Sequence, residues 1–383
     1  LALLGAALTG TGNELNNIIG GNELDNTFDG GPGIDTLTHF FLPVAVIANL
    51  ATGISTGVGP GVGTDTFVNF ESLQGSTFGD RLIGDAGPNR IDGFVGADTM
   101  IGAGGNDLYL VDDPGDVVVE ATNAGSDSLW TLVSFSLPGN VEHLTLIGDA
   151  AINGLGNAVA NRITGNSGNN VLNGGAGSDT LAGGLGNDVF VVDSALDAVT
   201  DIGGVDKVIS AVNWVLDAGL ENLALSGSAP VSGTGNSQNN MLVGNAGANV
   251  LDGAGGNDTL AGGLGADVLV GGAGLDRIAG GGGADRFVYN LPGESGVGVG
   301  LRDVLTDFST VQGDRIDLSV IDANPGVAGD QAFAFIGAAA FSDAGQVRFA
   351  GGLLQANVGG TLAADLDVLL QGVTTLAATD LIL

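Results

Sequence analysis

Cysteine is absent from this 383-residue chain, which excludes disulfides, thiol catalysis and thiolate metal sites. Lysine is almost absent too: Lys207 stands beside eight arginines, against 36 aspartates and seven glutamates, for a formal net charge of −34. So few bases leave no cationic surface for nucleic acid or an anionic membrane, and neither is expected as a partner. The same excess of acid suits uptake of cations. Nine prolines are too few for a collagen-like chain, and a 44% hydrophobic content is too high for a disordered one. No apolar run reaches the length of a membrane span; the longest, Phe40 to Leu50, is interrupted by Pro43. The opening Leu1-Ala2-Leu3-Leu4-Gly5 has no basic residue before it and reappears as Leu223-Ala224-Leu225-Ser226-Gly227, so it reads as a repeat segment cut in mid-module rather than as a leader. With no initiator methionine, the chain is expected to be the C-terminal part of a longer one.

Catalytic motifs are equally sparse. The two histidines, His39 and His143, lie in unrelated contexts, and there is no His-Glu-x-x-His. Gly53-Ile54-Ser55-Thr56-Gly57 matches a serine-hydrolase elbow by letter, but it sits in a turn-rich stretch without the buried strand and helix that such an elbow needs. Lys207 follows Asp206 rather than glycine, which excludes a phosphate-binding loop. The chain is not expected to be an enzyme.

What the chain has is glycine, 71 residues of it, on a nine-residue beat. Asn240, Asn249, Asp258, Asp267, Asp276 and Asp285 are each followed two residues later by a large apolar residue: Leu242, Leu251, Leu260, Leu269, Ile278 and Phe287. Glycines stand five residues before most of these acids, at Gly244, Gly253, Gly262, Gly271 and Gly280. The consensus is Gly-Gly-x-Gly-x-Asp-x-apolar-x. Three more blocks keep the beat: Asn17, Asn26 and Asp35; Asp80, Asn89, Asp98 and Asp107; Asn161, Asn170, Asp179 and Asp188. A longer period of 79 residues lies on top, relating Glu142 to Glu221, Asp179 to Asp258 and Phe135 to Trp214. It divides the chain into a partial module at 1–74, modules at 75–153 and 154–232, a long nonapeptide block at 233–290 and a different C-terminal segment at 291–383.

The glycine-rich half of each nonapeptide reads as a turn and the x-apolar-x half as a short strand with its apolar residue pointing inward. Two nonapeptides then make one coil, so the residue above a given Asp is 18 positions on and roughly 4.8 Å away. Repeats that cannot bury a core alone must stack, which predicts an all-β fold: a parallel β-roll or β-solenoid with a C-terminal β cap. The register sets Asp258 under Asp276, Asp267 under Asp285 and Asp80 under Asp98. Two carboxylates about 5 Å apart repel by roughly 1 kcal/mol in water and several times that at lower effective dielectric. A dication between them reverses the sign, and flexible, oxygen-only ligand sets favour Ca²⁺.

The best copies, Gly174-Gly175-Ala176-Gly177-Ser178-Asp179-Thr180-Leu181 and Gly271-Gly272-Ala273-Gly274-Leu275-Asp276-Arg277-Ile278, resemble the repeats-in-toxin (RTX) family. The resemblance implies several bound calcium ions, held by turn carbonyls and by Asp35, Asp80, Asp98, Asp107, Asp179, Asp188, Asp258, Asp267, Asp276 and Asp285. Asn17, Asn26, Asn89, Asn161, Asn170, Asn240 and Asn249 depart from the pattern. They are expected to weaken calcium sites and to stack on one another through amide hydrogen bonds.

Asp303-Val304-Leu305-Thr306-Asp307-Phe308, Gly313-Asp314-Arg315-Ile316-Asp317-Leu318-Ser319 and Gly345-Gln346-Val347-Arg348-Phe349 resemble the C-terminal domain of serralysin-type secreted proteins. That resemblance implies a β cap, and an export signal at Asp380-Leu381-Ile382-Leu383 read by type I secretion machinery. The loop Gln355-Ala356-Asn357-Val358-Gly359-Gly360 lacks the acids the family places there, so no further ion is expected in it. The reading that follows is a bacterial extracellular or cell-surface protein, serving as surface layer, matrix, filament or adhesin stalk, that folds on Ca²⁺ after export. The rivals are the non-catalytic region of an exported protease, lipase or epimerase, and a calcium-dependent glycan-binding module. The N-terminal coil edge reads as open, which truncation explains, with head-to-tail self-assembly as the alternative.

Overall fold

The computed structural model describes residues 1–3, 5–359 and 362–383; Leu4 of the apolar opening and Gly360 of the 355–360 loop lie outside the described residues. The fold is all-β, a parallel β-solenoid in which short strands alternate with glycine-rich turns. Among the described residues, no helix is long and apolar enough to cross a membrane. Two compact units divide the chain: Leu1–Phe190 with Leu196–Gly204, and Val191–Ala195 with Val205–Leu383.

In the first unit, ten strands stack in one parallel sheet: Ile18–Gly20, Thr36–Thr38, Ser72–Gln74, Arg90–Asp92, Leu108–Val111, Ser128–Thr131, His143–Leu146, Arg162–Thr164, Thr180–Ala182 and Ala198–Thr200. Each strand turns at least one apolar side chain inward, and these form a continuous column that includes Ile19, Leu37, Leu73, Ile91, Tyr109, Leu129, Leu144, Ile163, Leu181 and Val199, all fully buried. Burial of each such side chain contributes about 1.5–3 kcal/mol. Within the nonapeptide blocks the register is 18 residues, as in Arg90↔Leu108 and Arg162↔Thr180. The β-rich stretch between blocks is made of coils of the same solenoid with other lengths. Leu108 pairs with Ser128, Ser128 with His143, and His143 with Arg162.

The second face of this unit carries an insertion. Val46–Asn49, Ile54–Gly57 and Thr64–Val68 run antiparallel to one another, between Thr27–Asp29 and Arg81–Ile83, which they meet in parallel.

In the second unit, Trp214–Val215, Ser232–Thr234, Val250–Asp252, Val268–Val270, Arg286–Val288, Arg315–Asp317 and Leu381–Ile382 form one parallel sheet. The facing sheet climbs from Asn222–Leu225 through Met241–Val243, Thr259–Leu264 and Arg277–Gly282 to Asp303–Leu305. Leu366–Leu370 covers Asp303–Leu305 and opens an antiparallel meander through Leu353–Asn357 to Gln346–Ala350. This change of strand direction ends the parallel stack, and it is the C-terminal β cap. The extreme C-terminus is itself a strand, with Leu318 donating its amide to the Ile382 carbonyl at 2.8 Å.

Candidate metal centre

All ten aspartates singled out in the sequence are buried. Nine use one carboxylate oxygen in the same way: Oδ1 accepts the backbone N–H of the residue one coil earlier. Asn240 donates to Asp258 at 2.7 Å, Asp258 to Asp276 at 2.8 Å, Asn249 to Asp267 at 2.7 Å and Asp267 to Asp285 at 2.8 Å. Asn17 and Asp35, Asp80 and Asp98, Asn89 and Asp107, Asn161 and Asp179, and Asn170 and Asp188 repeat the bond at 2.6–2.8 Å. The 18-residue register forces this geometry, because a side chain at one height meets the amide at the same corner of the adjoining coil.

The other oxygen is left over. Oδ2 of Asp35, Asp98, Asp107, Asp258, Asp267, Asp276 and Asp285 is buried without a hydrogen-bond donor. A buried carboxylate oxygen with no donor costs several kcal/mol unless a proton or cation meets it. The consensus glycines open the space beside it. A Cβ on Gly262 would stand 2.5 Å from both Asp267 Oδ2 and the Gly280 carbonyl oxygen, and Gly253 faces Asp258 Oδ2 and the Gly271 carbonyl in the same way. An oxygen-lined cradle of carboxylate and carbonyl that any side chain would fill matches the hard, oxygen-only ligand set of Ca²⁺.

Burial dominates the electrostatics. It pushes Asp98, Asp107 and Asp258 up to about 7, and Asp276 and Asp285 to about 6, against amide hydrogen bonds that pull the other way. Neighbouring carboxylates add to the rise, Asp276 on Asp258 and Asp80 on Asp98. Burial also raises Asp267. Asp80 is different: its oxygens accept from the Ser76 and Val46 amides at 2.5 and 2.6 Å and from the Ser76 hydroxyl at 3.0 Å, so protein donors satisfy it.

Residues 74–109, 155–190, 234–269 and 262–290 match the RTX calcium-binding nonapeptide repeat. The chain carries RTX repeats. Outside the matched spans the RTX carboxylate ladder continues through residues that sequence reasoning missed. Asp98 donates its amide to Asp116, Asp107 to Asp127, Asp179 to Asp197, Asp276 to Asp303 and Asp285 to Asp314, at 2.8–3.0 Å. Asp116 and Asp197 were findable, since both stay on the nine-residue beat after the glycines stop. Asp303 is buried without a donor on Oδ2 and pushed up to about 8, by burial and then by Asp276.

The asparagines correct the expectation of an amide stack. Each Oδ1 accepts the N–H four residues earlier, as in Asn157 to Asn161 and Asn245 to Asn249. Each Nδ2 of the later blocks donates to a backbone carbonyl of the coil below: Asn161 to Val141 at 3.0 Å, Asn170 to Ile152 at 2.6 Å and Asn249 to Val231 at 2.9 Å. The coil below is a connector that offers carbonyls where an RTX turn would offer a carboxylate-binding amide. The amide group therefore caps the block, a task no carboxylate performs.

Other sequence candidates have structural surroundings. His39 is buried, with Nδ1 3.2 Å from the Gln74 carbonyl and its pKa lowered to about 4 by burial. Ser55 lies inside the antiparallel strand Ile54–Gly57 and donates to Asp65 at 3.4 Å. Asp365 accepts the Val358 and Gly359 amides, and Asp367 accepts from Gln355 and Gly298.

The chain is similar to two Rhizobium meliloti (strain 1021) proteins, endo-1,3-1,4-beta-glycanase EglC at 39% identity over 95 residues and endo-1,3-1,4-beta-glycanase ExsH at 33% over 94. Each alignment covers 24% of this chain, and 20% and 18% of the respective relatives, in the RTX region. The chain thus spans about a fifth of the length of the curated relatives it matches.

Proposed function

We propose that this chain is a non-catalytic, secreted calcium-binding protein whose RTX blocks take up several ions and whose folding is driven by them. The observation that carries the reading is the ladder of buried carboxylates, each with one oxygen held by an amide and, at Asp98, Asp107, Asp258, Asp267, Asp276 and Asp285, the other without a donor. Calcium supplies the positive charge those oxygens lack. At neutral pH without it, aligned carboxylates oppose closure of the coils, which keeps the chain extended where calcium is scarce; where calcium is abundant, binding is folding free energy. This arrangement suits passage through a type I export channel, with the C-terminal strand Leu381–Ile382 read as the signal before it folds, and a serralysin-like role for residues 291–383. The destination is the bacterial cell surface or extracellular space, as surface layer, matrix, filament or adhesin stalk.

A second reading is favoured by the glycanase relatives: an RTX region that accompanies a catalytic domain and serves its export and stability. A calcium titration of chelator-stripped protein, followed together by circular dichroism and light scattering, tests both. A coil-to-β transition without scattering supports a monomeric calcium-folded region, as an enzyme's companion requires. The same transition with rising scattering supports a self-assembling surface protein. A β signal complete without calcium at neutral pH overturns calcium-driven folding.

A further inference from the structure

The end of the second RTX block differs from its interior. The last nonapeptide Asp, Asp107, is covered by Asp127, which comes 20 residues later rather than 18. Glu120, from the bend after the connector strand Val117–Val119, reaches into the same place. Carboxylate oxygens of Asp107, Glu120 and Asp127 lie within 4.8 Å of one another, and all three residues are buried.

Their hydrogen bonds leave the centre unsatisfied. Asp107 Oδ1 and Asp127 Oδ1 each accept an amide at 2.8 Å. Glu120 accepts the Tyr109 hydroxyl and the Ala121 amide. Asp107 Oδ2 and Asp127 Oδ2 have no donor, although these residues are only 2% and 1% exposed. A Cβ on Gly102 would meet Asp107 Oδ2, Glu120 Oε1 and the Tyr109 oxygen at once, so the glycine keeps this oxygen-lined space open. The feature recurs 81 residues on, where Gly183 faces carboxylate oxygens of Asp188 and Asp201 and Phe190 replaces Tyr109.

We propose that Asp107, Glu120 and Asp127 bind a calcium ion that closes the RTX block against its connector, a site built from connector side chains rather than from a second glycine turn. Three buried carboxylates around one glycine-cleared space form a hard, anionic oxygen set that suits Ca²⁺. Because Glu120 belongs to the connector, this ion ties the folding of the connector to the filling of the block. Tyr109 holds Glu120 in place as a positioning residue. The inference rests on the reading of the blocks as a calcium array.

The test uses the full chain, stripped with chelator and reloaded with Ca²⁺ for ion counting, or with Tb³⁺ for tyrosine-sensitised emission. Glu120→Gln keeps the shape and removes the charge; it is expected to bind one fewer calcium ion and to lose the emission component sensitised by Tyr109. Tyr109→Phe removes both the sensitiser and the hydroxyl that holds Glu120, so it is expected to lose that emission component and to weaken one calcium site, while its circular dichroism at saturating calcium stays β, which separates loss of the site from loss of the fold. A Glu120→Gln protein with unchanged calcium count and emission overturns the site, since the carboxylates are then held by protons. A wild-type chain that binds no calcium overturns the array itself.

Discussion

Replacing Asp258 by asparagine should have opposite effects with and without calcium. Without the ion, Asp258 carries a buried oxygen that lacks a donor and lies one coil below Asp276. Removing that charge relieves desolvation of about 1–3 kcal/mol and a repulsion of about 1 kcal/mol, while turning Oδ1 to its own turn, as the native asparagines do, costs about 1 kcal/mol at the Asn240 N–H. The metal-free variant should therefore gain about 2 kcal/mol, or about 4–8 °C in Tm for a unit of this size. With calcium, the variant loses a ligand. An ion present at about 1,000 times its Kd stabilises by about 4.1 kcal/mol, so the wild type then leads by about 2 kcal/mol. The two stability curves should cross near 30 times Kd, where binding offsets the relief of about 2 kcal/mol. Thermal melts by circular dichroism across a calcium series give the crossing. Hydrogen exchange of the Asn240 amide reports the same coil locally. A shift of the same sign and size at every calcium concentration would refute the assignment of Asp258 as a ligand.

Acidity should act on the metal-free protein in the reverse of the usual sense. Asp98, Asp107, Asp258, Asp276, Asp285 and Asp303 titrate at about 6–8 when folded, against about 3.9 when unfolded. The folded chain holds more protons between those limits, so stability in chelator is full below about pH 4 and is lost as pH rises through 6 to 8. A urea midpoint in chelator that rises from pH 5 to pH 8 would contradict this. Leu260→Ala, which empties part of the second unit's core where Leu260 is fully buried, should cost about 2–5 kcal/mol by urea unfolding at saturating calcium and also in chelator at low pH, where the ladder is protonated. Ala254→Gly should stabilise by about 0.5–1 kcal/mol in the same assay. Ala254 holds φ +69 at the corner where Gly263, Gly272 and Gly281 hold +104, +89 and +91.

The solenoid was legible wherever turn chemistry and strand chemistry share one short period. Leu242, Leu260 and Ile278 pair in the order the 18-residue coil requires, because two glycine turns fix the length of each coil. The connectors were not legible in this way. His143–Leu146 joins the ten-stranded sheet of the first unit through coils without the glycine signature, and only its buried Leu144 and Leu146 betray it. The antiparallel insertion at Val46–Val68 was also hidden. Alternating burial along Ile54–Gly57 is a property of strands running either way, and its direction is decided by the Leu50–Gly53 turn that folds the chain back. Glu120 escaped notice because it is off the beat and reaches Asp107 through the bend that ends a strand.

The asparagines show why a ligand type alone does not locate the ions. Asp and Asn occupy the same corner, and at that corner both present Oδ1 to an N–H, the Asp to the coil below and the Asn to its own turn. They differ in the second atom, which donates in Asn249 and lacks a donor in Asp267. Half of each carboxylate is thus committed to the backbone in the closed coil. What depends on calcium is the charge on the other half. A proton answers that charge at low pH and a dication answers it at neutral pH, so the same coils can close under either condition. The measurable consequence is competition: calcium binding near pH 6 should release protons from the ladder, and the release should fade above about pH 8, where the carboxylates are already ionised.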